Sequence, residues 1–457
     1  MPELRRELGP WTAAAIVVGT TIGSAIFLVP SKMLQAVGTP GWVFAVWIAG
    51  GLLSLFGALT YSELSSRFPE AGGEYAYLRE AYGPFWGFTY GWLQTWIARS
   101  GACATLATGF FYYLTHFLPS LDRILYVVPL PIGPGWAPLE IRYGQIIAIG
   151  LICILGVLNT MGVKFGGGAQ VGLTLIKVGL ILVLIPAGFL SGVGSVENFS
   201  GSVPVAGDAS AFSRFFLALV AALWAYDGWN TVAMVASEVK DPKRNLPRAL
   251  IGGIAGIVSI YLIANIVYFY VLTPAEVASS DRIAAAMMRK AVGEWGANLV
   301  SFAAMTSMAA ALNGTLLGGS RIPFAMARDG LFFASAGRVD ENRGTPVAAI
   351  WLLTGTASLL VLSGRYEELF TSVIFASWIL YAMAAASVFV FRRRDGDSIS
   401  QHRSIGYPWL PGLFVCTALV LLGATLYNSP RESLLGLVTI VIGVPFYLHW
   451  QKSRRAN

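Results

Sequence analysis

The sequence predicts an all-α polytopic membrane protein with 12 transmembrane helices. Three observations carry this. Of the 457 residues, 56% are hydrophobic and 12% are charged, where soluble domains carry roughly 25% charge. The mean hydropathy is +0.65. The apolar residues also fall into runs of about 20, the length that crosses a bilayer. A soluble fold of this size could not cover its surface with so few charges. Disordered chains are poor in apolar residues and rich in charge. Three cysteines and glycines without a triplet period exclude a disulfide scaffold and a collagen. A barrel needs strands of about 10 residues with alternating polarity, and these runs are longer and apolar on all sides.

In chain order the spans are 11–36, 41–66, 84–117, 142–160, 164–192, 211–237, 247–273, 295–328, 345–363, 367–391, 408–428 and 432–451. The N-terminal MPELRRELGP leads into a run of full spanning length with no small-residue cleavage site, so the first span is read as retained. The eighth ends in a polar helical tail around Arg321–Arg328. With the N-terminus inside, 20 Lys and Arg fall on inner connections and nine on outer ones, with Arg99 and Lys177 inside spans. That bias places both termini in the cytoplasm. The net charge of +7 is then a topology signal, and the partner it implies is membrane lipid, not nucleic acid.

Spans 1 and 6 are interrupted. Span 1 holds Gly19-Thr20-Thr21-Ile22-Gly23-Ser24-Ala25, and span 6 holds Trp224-Ala225-Tyr226-Asp227-Gly228-Trp229. Glycine and small polar residues weaken a helix where they sit. Interruptions at equivalent positions of two five-helix halves point to a transporter site. Unwound backbone survives at membrane depth only where it is buried or lines a cavity. Freed amides hold an anion and freed carbonyls a cation, and an α-amino acid zwitterion presents both. Gly19 and Gly23 also fit a helix-packing motif. Asp227 favours a site, because a carboxylate at that depth is costly unless paired or wet.

Lys177 lies 13 residues beyond Lys164, about 20 Å into its span at 1.5 Å per residue. Its ammonium can stand in for a sodium ion, carry a proton, or pair with an acid such as Asp227. Arg99, midway along span 3, cannot deprotonate and is read as structural or gating. Glu63 and Glu238 close spans 2 and 6 and are read as solvated helix ends, Glu238 with a gate contact as the alternative. Trp224 can cap the pocket or pack in the core.

No Lys follows a Gly, which excludes a Walker A loop. There is no H-E-x-x-H or G-x-S-x-G, and His116, His402 and His449 are not clustered. No enzyme and no cofactor is expected.

The interruptions belong to a wider set of motifs: Gly19 through Phe27; Tyr61-Ser62-Glu63-Leu64; Pro69 through Tyr75; Trp224 through Asn230; Glu238 through Arg248; and Ser320-Arg321 with Ala325 through Gly330. Together they resemble the amino acid–polyamine–organocation superfamily, and within it bacterial relatives of the L-type amino acid transporters. The resemblance implies a leucine-transporter-like 5+5 inverted repeat, residues 11–192 and 211–391, followed by two extra helices over 408–451. It implies that the substrate carboxylate meets amides around Ile22, Ser24 and Ala25, and that the amine meets carbonyls of Thr21, Trp224 and Asp227. Trp224 stands where the family places an outer gate. Lys177 matches a span-5 lysine that occupies the sodium position of sodium-driven cousins, and Arg99 matches a basic residue of span 3. Ala25 departs from the family's Gly. The 118–141 connection has no Cys, so no disulfide-linked heavy subunit is expected. The resulting expectation is a sodium-independent exchanger of small neutral L-amino acids in the cell membrane. The alternatives are a proton-coupled symporter and a non-transporting receptor or scaffold.

Overall fold

The computed structural model describes residues 3–129, 139–205, 210–363, 366–395, 403–428 and 430–456. His402 and residues 130–138 of the 118–141 connection lie outside them.

Helices α1 (Pro10–Thr21) and α2 (Ala25–Val37) form one apolar pair bent by 42°. The long α3 (Pro40–Arg67) starts behind the Thr39 cap with Pro40 at its first position. A short α4 (Glu74–Tyr82) precedes α5 (Pro84–Leu93). At Gln94–Ala98 the helix widens: the Arg99 amide reaches back five residues to the Gln94 carbonyl before α6 (Arg99–Leu114) continues. Such widened turns concentrate at functional positions. Strands β1 (Ile124–Val128) and β2 (Leu139–Arg142) form a small antiparallel ribbon. There follow α7 (Tyr143–Thr160), α8 (Val163–Leu190), α9 (Ala211–Ala225), α10 (Thr231–Met234), α11 (Pro242–Val271), α12 (Pro274–Ala278), α13 (Ile283–Val292), α14 (Glu294–Gly319) and α15 (Arg321–Arg328). The chain ends in α16 (Val347–Ser363), α17 (Tyr366–Asp395), α18 (Trp409–Asn428) and α19 (Pro430–Ala456).

Among the described residues, six helices are long and apolar enough to cross a membrane, and the bent α1–α2 pair makes a seventh. Helices α9 and α16 are apolar but shorter. Helix α1 sits inside the bundle against α8, α11 and α14, and α11 runs along α3. One face of α8 buries Gln170, Thr174, Lys177 and Ile181, while Leu175, Ile176, Leu182 and Val183 are exposed. A greasy outer face with a polar inner stripe is the inverse of a soluble helix and suits a lipid surround.

Two expectations are corrected. The protein is not purely helical: Ile124–Val128 and Leu139–Arg142 pair as strands. These stretches lie in the connection after α6, where the backbone need not satisfy itself within a helix. The glutamates at the span ends are not solvated. Glu63 is buried and accepts from Arg392 at 3.0 and 2.7 Å and from the Ser404 amide at 2.7 Å. Glu238 accepts from Arg321 at 2.6 and 2.9 Å, with neither side chain accessible. Each finds its arginine on a distant element, and a bidentate pair is the form in which buried charge is best compensated.

Candidate functional site

The first break begins at Ile22, whose backbone leaves the helical region while its amide still donates to the Val18 carbonyl at 3.0 Å. The next amides, of Gly23, Ser24 and Ala25, have no partner among the described residues. They stand at the N-terminus of α2, where a helix favours negative charge. Ile22 therefore offers no free amide, contrary to expectation, and Gly23 does.

The carbonyls behind this break are engaged. Lys177 Nζ donates to Gly19 O at 2.6 Å and to Ile22 O at 2.5 Å. The Ser307 hydroxyl lies 2.9 Å from Ile22 O and 3.0 Å from Gly23 O. Lys177 is fully buried and reaches the backbone because α1 lies close on α8. Gly19 permits that approach: a Cβ there would lie 2.0 Å from the Gln170 side chain. The packing role of Gly19 and the break at Gly23 thus coexist. Of the three readings of Lys177, the ion pair with Asp227 is not formed among the described residues.

The second break spans Tyr226–Asn230, between α9 and α10. Gly228 has φ +106°, and a Cβ would fall 2.9 Å from the Thr20 carbonyl, so only glycine fits. Two side chains lash the breaks together. The Thr20 hydroxyl lies 2.8 Å from Gly228 O. The Tyr261 hydroxyl lies 2.9 Å from Ala225 O and 3.3 Å from Thr21 O. Tyr226 points into the core and donates to Trp47 O at 3.1 Å.

Arg99 anchors the second break. Its guanidinium donates to Gln94 Oε1 at 3.1 Å, Thr231 Oγ1 at 3.2 Å and Asn230 Oδ1 at 3.3 Å. Asn230 in turn donates to the buried Glu74, which also accepts from Tyr90 at 2.9 Å. Asp227 and Glu74 both lie within electrostatic reach of Arg99. The carboxylate-bearing Asp227 is exposed to the interior cavity.

Two small adjoining cavities meet at the breaks. They share Arg99, Ala102, Trp224 and Asp227 as a common wall. One extends over Thr20, Thr21, Gly23, Ser24, Ala25 and Gly228. The other extends over Gln94, Val220, Leu223, Ser377, Trp378 and Tyr381. The structure thus brings Thr21, Ser24, Ala25, Arg99, Trp224 and Asp227 around one space, with Ile22 and Lys177 behind its wall. Of the expected carbonyls, Thr21 O already meets Tyr261, and Trp224 O accepts the Asp227 amide at 3.2 Å. Glu74, Asn230, Tyr261 and Ser307 complete the arrangement and are not singled out by the sequence. Glu74 and Asn230 fall within the motifs quoted above without a role there, and Tyr261 and Ser307 offer no signal. Among the described residues no group of three or more His, Cys, Asp or Glu is placed to hold a metal ion.

A helical membrane protein with its central cavity between two broken helices is built as a transporter, not an enzyme. The profile of the amino acid permease family matches residues 8–444, and the chain belongs to that family, within the amino acid–polyamine–organocation superfamily. It is 31% identical to the serine/threonine exchanger SteT of Bacillus subtilis (strain 168) over 460 residues, covering 99% of this chain and 98% of that protein. It is 28% identical to the human cystine/glutamate transporter over 458 residues, 99% of this chain and 87% of the relative. It is 29% identical to the mouse b(0,+)-type amino acid transporter 1 over 453 residues, 97% and 88% of the two chains. The chain is an amino acid transporter with membrane-spanning helices.

Proposed function

We propose that the protein is a sodium-independent exchanger of small neutral L-amino acids, working by alternating access. The observation that carries this is the pairing of the two breaks. Unengaged amides of Gly23, Ser24 and Ala25 face the same space as Asp227, which matches a zwitterion's carboxylate and ammonium. Sodium independence follows from Lys177. Carbonyls at such breaks are where a coupling cation binds, and here an ammonium already takes those of Gly19 and Ile22. The relative named as an exchanger, SteT, supports the same mode.

The architecture we assign is twelve spans: a first repeat over 11–192, an inverted second over 211–391, and two helices over 408–451. Both termini lie in the cytoplasm of a cell-membrane protein. The N-terminal segment is tied to the stretch that follows the second break. Leu8 exchanges backbone hydrogen bonds with Glu238 and Lys240 at 2.9 and 2.8 Å. Beside it stand the pairs Glu238–Arg321 and Arg79–Asp329. Opening toward the side of the N-terminal segment requires these contacts to part. None of Cys103, Cys153 and Cys416 lies in the 118–141 connection, and we assign no disulfide-linked heavy subunit.

The test is uptake by the purified full chain in proteoliposomes. The expected result is flux that requires amino acid inside, ignores sodium, and is not driven by an inward proton gradient alone. Uptake into empty vesicles driven by that gradient would instead establish proton symport, with Asp227 or Lys177 as the titrating group. Ligand-stabilised melting without flux would establish a receptor.

A further inference from the structure

We propose that the cavity lined by Gln94, Ser377, Trp378 and Tyr381 is the side-chain subsite, and that it selects uncharged side chains able to hydrogen-bond, namely hydroxyls and carboxamides. This rests on reading the adjoining cavity as the seat of the substrate's α-carboxylate and α-ammonium. The free amides and the Gly228 turn line only that adjoining cavity, so the substrate's main chain belongs there. Beyond the shared wall of Arg99, Ala102, Trp224 and Asp227, its side chain enters the Gln94–Ser377 cavity.

The selectivity comes from two orphaned polar atoms. Among the described residues, Gln94 Nε2 and Ser377 Oγ are buried without a hydrogen-bond partner, in residues that are 0% and 6% accessible. The direction of the Gln94 amide is settled, because its oxygen accepts from Arg99 Nε at 3.1 Å and a guanidinium only donates. The end left over is therefore a donor. Buried polar groups are rarely left unpaired, and a ligand that pairs them is favoured over an apolar one of equal shape. A hydroxyl or a carboxamide oxygen accepts from Gln94 and can exchange a bond with Ser377, whereas a methyl group strands both.

Charge excludes the rest. The guanidinium of Arg99 is already committed to Gln94, Asn230 and Thr231, and it stands between Glu74 and Asp227. An anionic side chain would meet the Asp227 carboxylate, beside an arginine that already faces two acids. A cationic one would meet the guanidinium. Apolar selection is opposed by Gln94 and Ser377, although Val220, Leu223 and Trp378 make the remaining walls apolar, which suits a short aliphatic stem.

The experiment compares substrates of equal shape in proteoliposome exchange by the full chain: threonine against valine, and asparagine against leucine. The wild-type protein is expected to favour the hydrogen-bonding member of each pair in kcat/KM by about 10-fold or more, equivalent to about 1.4 kcal/mol. Ser377→Ala is expected to compress the threonine/valine ratio at least about fivefold. Gln94→Glu, which keeps an oxygen for Arg99 and removes the donor, is expected to compress the asparagine/leucine ratio similarly. Valine and leucine exchanged as well as their partners by the wild type would overturn the subsite while leaving amino acid exchange standing. Ratios that survive both substitutions would remove the two residues from selection. No exchange of any amino acid would overturn the underlying reading as well. The wild-type comparison needs no variant, so a substitution that fails to fold leaves the proposal falsifiable.

Discussion

The two broken helices solve one problem in opposite ways. The first break is held through its backbone, by one ammonium and by the hydroxyls of Ser307 and Tyr261. Lys177 clasps carbonyls of Gly19 and Ile22 from behind, and the amides of Gly23, Ser24 and Ala25 are left facing the cavity. The second is held by side chains: Arg99, Asn230, Thr231, Glu74 and Tyr90 form a buried polar network, with Asp227 presented to the cavity. One break therefore shows bare peptide dipoles and the other a carboxylate beside an arginine. A helix N-terminus can receive an anion without any charged side chain. An ammonium in the interior needs a fuller negative charge, and that acid needs its own compensation. The asymmetry of the substrate is written into the asymmetry of the breaks.

If this contrast is right, the largest effect belongs to Lys177. Lys177→Met keeps length and removes the charge. It strands the buried Gly19 carbonyl, at a cost of about 1–3 kcal/mol, and leaves Ile22 O with only the Ser307 hydroxyl. Exchange is expected to fall by about 100-fold or more, with a lowered melting temperature. Lys177→Met with wild-type flux would erase the contrast.

The next effect tests the second break. Arg99→Gln removes three charge-assisted bonds and strands Glu74 and Asp227 in the interior, where an uncompensated charge costs about 3–5 kcal/mol. Transport should drop by about 30- to 100-fold. Combining it with Glu74→Gln relieves one stranded carboxylate, so the double variant should be more stable than Arg99→Gln alone. Melting curves of the two proteins decide this, and simple additivity would mean that Glu74 does not share the network.

Gly228→Ala probes the seam where the breaks meet. A side chain at φ +106° is strained, and its Cβ would meet the Thr20 carbonyl at 2.9 Å. Such backbone strain is worth about 1–3 kcal/mol. The expected loss in exchange rate is about 10-fold, smaller than at Lys177 because both breaks persist and are only pushed apart.

These contrasts are partly legible in the amino-acid sequence. The breaks announce themselves locally, because Gly19 through Ala25 and Trp224 through Trp229 interrupt apolar runs. The depth of Lys177 follows from the rise per residue alone. What stays hidden is whatever depends on distant partners. Glu63 and Glu238 sit at span ends, where solvation is the ordinary state. Their burial follows from Arg392 and Arg321, 329 and 83 residues away. Glu74 looks like a loop charge until Asn230 and Tyr90 close over it. The free amide at Gly23, in place of Ile22, turns on one hydrogen bond to Val18 that no residue pattern encodes.

The smallest predicted effect sharpens the comparison most finely. Ser307 touches the same stretch of backbone that Lys177 does, at 2.9 Å to Ile22 O and 3.0 Å to Gly23 O. Its hydroxyl has one proton to share between them, and it carries no charge. A neutral hydrogen bond contributes about 0.5–1.5 kcal/mol net. Ser307→Ala leaves Ile22 O paired with the ammonium and should slow exchange only about two- to fivefold. Equal losses from Ser307→Ala and Lys177→Met in the same vesicle assay would mean that the first break needs any donor behind it, not a cation. The resemblance between Lys177 and a captive coupling ion would then fail, while the Arg99 network at the second break would be untouched.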